Sequence, residues 1–289
     1  MIKVIASDMD GTLLDEDHML TSPTVQAIKK AQEAGIRFIV ATGRGYASAM
    51  PLLREVGIEC DYLVSSGAEL RNSEEVVLQR NVMKKEDYTM AYEVLEKYNL
   101  IYTFETDENS CFIGSEEQLE ENMLQHMHVF YKTMSEENIR KLPFFNLVMS
   151  RCRAFASFEE LSAANLEVTK IFSMSNDVEL LNKISAELEK NKGLAVSSSF
   201  SDNLEITDVK AQKGLALKSY IESLGYTMDE VMVFGDSMND YSMLSMDFGA
   251  TIAMENAVDE IKAAAKYMTK SNVEDGVAYA IEELLKSRE

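Results

Sequence analysis

Five short apolar runs punctuate the chain, and four of them stop at small polar or acidic residues. Val4-Ile5-Ala6-Ser7 runs into Asp8, Phe38-Ile39-Val40-Ala41 into Thr42, Tyr62-Leu63-Val64 into Ser65 and Ser66, and Val231-Met232-Val233-Phe234-Gly235 into Asp236; Ala250 to Met254 is a weaker fifth. Continuous β-branched runs of this length predict strands buried on both faces, the pattern of a parallel sheet. Between them the period changes. Thr21 or Ser22 caps a helix with Pro23 in its first turn, Val25, Ile28 and Ala31 on one side, and Gly35 as its stop. Further helices are predicted over 46–56, 214–224, 239–246, 257–265 and 274–286. Strand and helix alternate at both ends of the chain, which predicts a doubly wound α/β domain.

The middle has another rhythm. Residues 85–98 and 178–190 are helical in pattern, 101–104 are extended, and 194–200 with 204–207 form a hairpin turned by Ser201-Asp202-Asn203. The organisation predicted is a core of 1–83 and 208–289, interrupted by an α+β module at 84–207; insertions of this kind succeed at loop tips.

Charge narrows the class of partner. The 289 residues hold 28 Lys plus Arg against 49 Asp plus Glu, a net charge of −21. Phosphate-backbone and anionic-membrane binding both run on clustered basic residues, so neither nucleic acid nor membrane is an expected partner. Cys60, Cys111 and Cys152 are far apart and odd in number, which suits neither a disulfide framework nor a zinc site. The N-terminal MIKVIASDMDG has no signal-peptide pattern, and no apolar run reaches the length of a membrane span. The expectation is a soluble, reduced, cytoplasmic protein; the oligomeric state has no signature.

In open α/β sheets, ligands bind beyond the carboxyl ends of the strands. Asp8, Thr42, Ser65, Ser66 and Asp236 are placed there. The first strand leads into Asp8-Met9-Asp10-Gly11-Thr12, whose two carboxylates lie on one side of an extended segment and repel unless a cation or a proton intervenes. Gly235-Asp236-Ser237-Met238-Asn239-Asp240 adds two more acids. Oxygen-only ligands suit a hard cation such as Mg²⁺. Thr42-Gly43-Arg44 offers a hydroxyl and main-chain N–H groups at a helix start, a natural phosphate site, and Lys213-Gly214 opens another helix with a cation.

In that order these motifs resemble the haloacid dehalogenase superfamily, and the large insertion between Thr42 and Lys213 resembles its Cof-type branch with an α/β cap. Ala253-Met254-Glu255-Asn256-Ala257 and Glu274-Asp275-Gly276-Val277-Ala278 also look like that branch. The resemblance implies a Rossmann-like core and a cap that sets specificity. It implies that Asp8 attacks phosphorus to form an aspartyl-phosphate and that Asp10 serves as general acid, then base. Thr42 and Lys213 would hold the phosphoryl oxygens, with Met9, Gly43, Arg44 and Asn239 also on the phosphate or substrate side and Asn239 orienting Lys213 or the phosphate. Mg²⁺ would sit on Asp8, the Asp10 carbonyl and Asp236, with Asp240 as ligand or support. Where family members carry Asn-Gly-Ala after the third strand, this chain has Ser66-Gly67-Ala68, a shorter reach toward substrate.

The activity so implied is a Mg²⁺-dependent phosphatase of small phosphorylated metabolites, sugar phosphates first, with pyridoxal phosphate or flavin mononucleotide as further substrates. A phosphomutase or phosphotransferase would share every residue. A non-catalytic phospho-ligand sensor would not need the Asp8 and Asp10 pair. Other signals read more plainly. His126 and His128 lack a third ligand, Arg151 and Arg153 would share an exposed strand face, Glu116 to Glu121 form a solvated helix face, and 18 methionines fill core.

Overall fold

The computed structural model describes residues 1–131 and 133–288; the side chains of His126, Val129, Phe130 and Phe144 also lie outside the described residues. The chain forms two compact units, one of 1–81, 197–200 and the residues from 209 on, the other of 82–196 and 201–208.

The first unit is built on an eight-stranded sheet in the order Tyr267–Met268, Ala250–Ala253, Val231–Gly235, Val4–Ser7, Arg37–Ala41, Asp61–Val64, Glu69–Arg71, Val77–Arg80. The first six strands are parallel and the last two antiparallel. The apolar runs form its centre: Val4, Ile5, Ile39, Val40, Val231, Val233 and Phe234 are buried, and each such side chain contributes about 1.5–3 kcal/mol of transfer free energy. Register carries this pattern to the site. Ser7 lies level with Phe234 on one side and Val40 on the other, so Asp8, Asp236 and Thr42 leave the sheet at one edge. Helices Ser22–Glu33 and Gly276–Lys286 pack against each other; Thr21 caps the first by accepting from the Thr24 N–H.

The second unit has a six-stranded sheet, in the order Leu194–Ser197, Asn203–Asp208, Val168–Met174, Ile101–Thr106, Ser110–Ile113, Cys152–Phe155. Helices Lys85–Lys97 and Val178–Leu188 bury Tyr88, Leu95, Ile184 and Leu188 against Phe104, Ile171 and Ile206 of the sheet. The architecture is the α/β core with an α+β insertion that the pattern predicts.

Several elements end where local chemistry dictates. The last helix begins at Gly276, not 274, because Asp275 sits in the left-handed region at φ 56°. The stretch predicted as helix 239–246 is helical only over Tyr241–Leu244, after a 3₁₀ turn at Met238–Asp240. Strand Leu194–Ser197 stops short of the predicted Phe200, and 197–200 belong with the first unit although the spacing assigned them to the insertion. Two hydrogen bonds to Asn239, described below, hold them there. Arg153 lies on an exposed strand position with its guanidinium 4.5 Å from the Phe155 ring. All three cysteines are free, and burial pushes their thiols up, to about 12 for Cys60 and Cys152 and about 11 for Cys111. Among the described residues, no helix is long and apolar enough to cross a membrane.

Candidate active site

Lys213 lies at the centre. It opens helix Lys213–Ser223, is fully buried, and donates from Nζ to Asp8 Oδ1 and to Asp240 Oδ1, each at 2.6 Å. The other Asp240 oxygen accepts from the main-chain N–H groups of Asp236 at 3.0 Å and Ser237 at 3.2 Å. Asp236 Oδ1 accepts from the Thr12 hydroxyl at 2.7 Å. Carboxylate oxygens of Asp8, Asp236 and Asp240 all fall within 4.8 Å of one another.

Three carboxylates around one lysine leave an excess of negative charge. Burial, and then the charge of Asp240, push the Asp8 carboxyl well above the ordinary range, with Lys213 pulling the other way. The same two causes raise Asp236 to about 7. Burial alone would lower the Lys213 ammonium, but Asp240 and Asp8 outweigh it and hold the amine charged. This oxygen-only, under-neutralised set fits a hard divalent cation, which would be held by Asp8, Asp236 and Asp240.

Asp10, two residues along, faces other partners. Arg44 grips it with two hydrogen bonds, Nε to Oδ2 at 2.7 Å and Nη2 to Oδ1 at 2.6 Å, and His18 Nδ1 lies 3.2 Å from Oδ1. Burial works to raise this carboxyl, yet the Arg44 and His18 hydrogen bonds and charges win and hold it well below the usual carboxylate range. The Asp10 carboxylate is thus engaged by Arg44 and His18 rather than by Lys213.

Two glycines make these approaches possible. Gly11 turns the chain at φ 77°, and a Cβ there would run into the Asp236 carboxylate. Gly67, at φ 97°, lies against the start of the lysine helix, where a Cβ would stand 2.9 Å from the Gln212 carbonyl carbon. The Ser66-Gly67-Ala68 turn thus abuts the main chain that presents Lys213, whatever Ser66 itself does.

The remaining predicted residues divide. Thr42 is buried, and its hydroxyl accepts from the Arg44 N–H at 3.1 Å. Met9 has its side chain in the core and its carbonyl accepts from Leu14. Gly43 is part-exposed. Asn239, expected to orient Lys213 or the phosphate, bonds elsewhere than Lys213: its N–H donates to the Ser198 carbonyl, its Nδ2 to Ser199 Oγ, and its Oδ1 accepts from Ser237, each at 3.0 Å. Asp8 and Asp240 orient the lysine instead. Arg44 is on Asp10. The sequence did not foretell His18 or the Thr12 link to Asp236; Thr12 stands in the Asp8-Met9-Asp10-Gly11-Thr12 motif, whereas nothing in spacing marks a loop histidine eight residues past Asp10. The pair of His126 with His128 is not described, because the His126 side chain lies outside the described residues.

Residues 5–281 match the family described as haloacid dehalogenase-like hydrolase, and the chain belongs to that family. It is 28% identical over 280 residues to the 5-amino-6-(5-phospho-D-ribitylamino)uracil phosphatase YcsE of Bacillus subtilis strain 168, covering 97% of this chain and 94% of that protein. To YwtE of the same organism, named for the same activity, identity is 30% over 291 residues and 98% of each chain. A solved haloacid dehalogenase-like hydrolase from B. subtilis matches with a TM-score of 0.84 at 28% identity, over 98% of this chain and 100% of that one. The protein is an enzyme, a phosphoric monoester hydrolase of the phosphatase kind.

Proposed function

We propose that the protein is a Mg²⁺-dependent phosphatase of small phosphorylated metabolites that works through an aspartyl-phosphate at Asp8. The observation that carries this is the Lys213 ammonium shared at 2.6 Å between Asp8 and Asp240, with Asp236 in the same cluster of oxygens. An Asp8 oxygen attacks phosphorus as the ester P–O bond breaks, and Asp10 gives a proton to the departing alkoxide. Asp10 then takes a proton from water, which attacks the phosphorus of the acyl phosphate, releases phosphate and restores the Asp8 carboxylate. Arg44 holds Asp10 as the carboxylate, the form needed in the second half; loosening that grip allows Asp10 to arrive protonated for the first. Lys213 and Thr42 hold the phosphoryl oxygens, with Met9, Gly43 and Arg44 around them. Asp8, the Asp10 carbonyl and Asp236, with Asp240 as ligand or support, would hold the cation, which would supply positive charge against the phosphoryl group.

The inserted unit is assigned the choice of leaving group. Sugar and sugar-alcohol phosphates come first, and the names of the two Bacillus relatives favour a phosphorylated ribityl chain on a pyrimidine among them. A cytoplasmic place, where small phosphorylated metabolites of this kind are found, belongs to the same proposal. A phosphate-release screen over phosphorylated metabolites, with Asp8→Asn as blank, tests the assignment. The expected outcome is release from sugar-like esters that stops on chelation and returns with added Mg²⁺. Turnover that survives complete chelation would remove the cation from the account.

A further inference from the structure

The two acidic loops leave neighbouring strands, and a third segment ties them together. The turn at 254–258 follows strand Ala250–Ala253. Its Met254 N–H donates to the Gly235 carbonyl at 3.1 Å, and its Val258 N–H donates to the Asp236 carbonyl at 3.0 Å. From the middle of the same turn, Asn256 lays its amide on the other loop. Nδ2 donates to the Gly11 carbonyl at 2.7 Å, while Oδ1 accepts from the Asn272 N–H at 3.0 Å. Asn272 in turn donates from its own Nδ2 to the Leu14 carbonyl at 2.8 Å, and Leu14 closes the loop by donating to Met9 at 2.9 Å. One short turn therefore grips the main chain of both loops, directly at Asp236 and through a pair of linked amides at Gly11 and Leu14. Between the gripped points, Gly11 abuts the Asp236 carboxylate and Thr12 donates to it.

Asn256 is exposed and Asn272 only part-buried, so neither packs a core. Their amide hydrogen bonds are spent instead on two carbonyls of the loop that carries Asp8 and Asp10. We propose that Asn256, supported by Asn272, is a positioning residue that sets the spacing of the Asp8–Asp10 loop against Asp236, and through it the fit of the acidic cluster to Mg²⁺. The proposal rests on the reading of that cluster as a cation site. Groups that orient ligands from outside typically alter metal affinity about 10–100-fold when removed. Mg²⁺ demands short, nearly octahedral contacts, whereas Ca²⁺ tolerates a looser cage, so a slackened loop should penalise Mg²⁺ more.

Calorimetric titration of the full-length, cation-stripped protein with MgCl₂ and separately with CaCl₂ tests this, beside urea unfolding of each cation-free variant. Asn256→Ala is expected to weaken Mg²⁺ binding roughly 10–100-fold, to weaken Ca²⁺ binding less, and to leave the unfolding midpoint little changed; Asn272→Ala should do the same more mildly. Equal losses for both ions together with a lowered midpoint would show general loosening and overturn the proposal. Unchanged Mg²⁺ affinity in Asn256→Ala would overturn it alone, whereas a wild-type protein that binds no Mg²⁺ would remove the cation reading and the proposal with it.

Discussion

Asp8 and Asp10 leave one strand two residues apart and enter opposite surroundings. Around Asp8, two buried carboxylates share the Lys213 ammonium with part-buried Asp236 close by, and burial with the Asp240 charge raises Asp8 and Asp236. Around Asp10, one carboxylate is met by the Arg44 fork and by His18, and its carboxyl is held low. One pocket is short of positive charge and the other is balanced. Identical side chains are thus given different electrostatic states by their neighbours, which under the proposed function suits the short pocket to a cation and a phosphoryl group and the balanced one to proton exchange.

The widest separation of the two pockets comes from activity. Asp8→Asn should lower hydrolysis of an aryl phosphate by at least ~10⁴-fold while leaving the cation-free protein no less stable, since it removes a charge from an overloaded cluster. A stable Asp8→Asn enzyme with near-normal turnover would dissolve the distinction. Asp10→Asn should cost about 10²–10⁴-fold on alkyl phosphates and clearly less on esters with acidic leaving groups, which depart without a proton. Equal losses on both classes would count against Asp10 as the acid.

Two smaller effects carry opposite signs. Asp10 is depressed in the folded state, so its ion pair stabilises above the unfolded value near 3.9 and is lost as pH falls toward the folded one. Arg44→Gln should therefore destabilise by about 1–3 kcal/mol at pH 7, and the difference from wild type in urea should shrink below about pH 4; a penalty independent of pH would mean that Arg44 acts by packing. Asp236 is raised to about 7. Between the ordinary carboxylate range and that value the folded chain keeps a proton that the unfolded chain has released, so cation-free stability falls as pH rises through this window. Asp236→Asn, which keeps the acceptor for Thr12, should then raise the Tm of cation-free protein at pH 8 by roughly 2–4 °C, equivalent to about 1 kcal/mol. A lower Tm would show that the cluster is not short of positive charge.

The fold and most of the acid cluster were legible in sequence because both obey local rules. Strands buried on two faces must be written in apolar residues, and a parallel sheet brings their ends to one edge, so Asp8, Thr42 and Asp236 announce themselves as the polar residues that end such runs. Lys213 needed the motif as well as the pattern, since a lone lysine at a helix start is usually solvated. Contacts made by loops were not legible. His18 reaches Asp10 from a loop with no periodicity, and Asn239 turns to Ser199 because 197–200 fold with the first unit, a long-range outcome that no spacing encodes. The insertion was readable where helices Lys85–Lys97 and Val178–Leu188 show apolar faces. Its short strands Ser110–Ile113 and Cys152–Phe155 pair across some forty residues of chain and carry no such signature.

Under the proposed function Asp8 carries the phosphoryl group. Asp10→Asn is the background in which to look, because an ester with an acidic leaving group still loads Asp8 while the step that needs a base for water is slowed. Mass spectrometry of that variant, quenched during turnover and digested, should find one phosphoryl group on the peptide holding Asp8, removable by hydroxylamine. Turnover with no phosphoryl group on that peptide, or with the group on another residue, would contradict it.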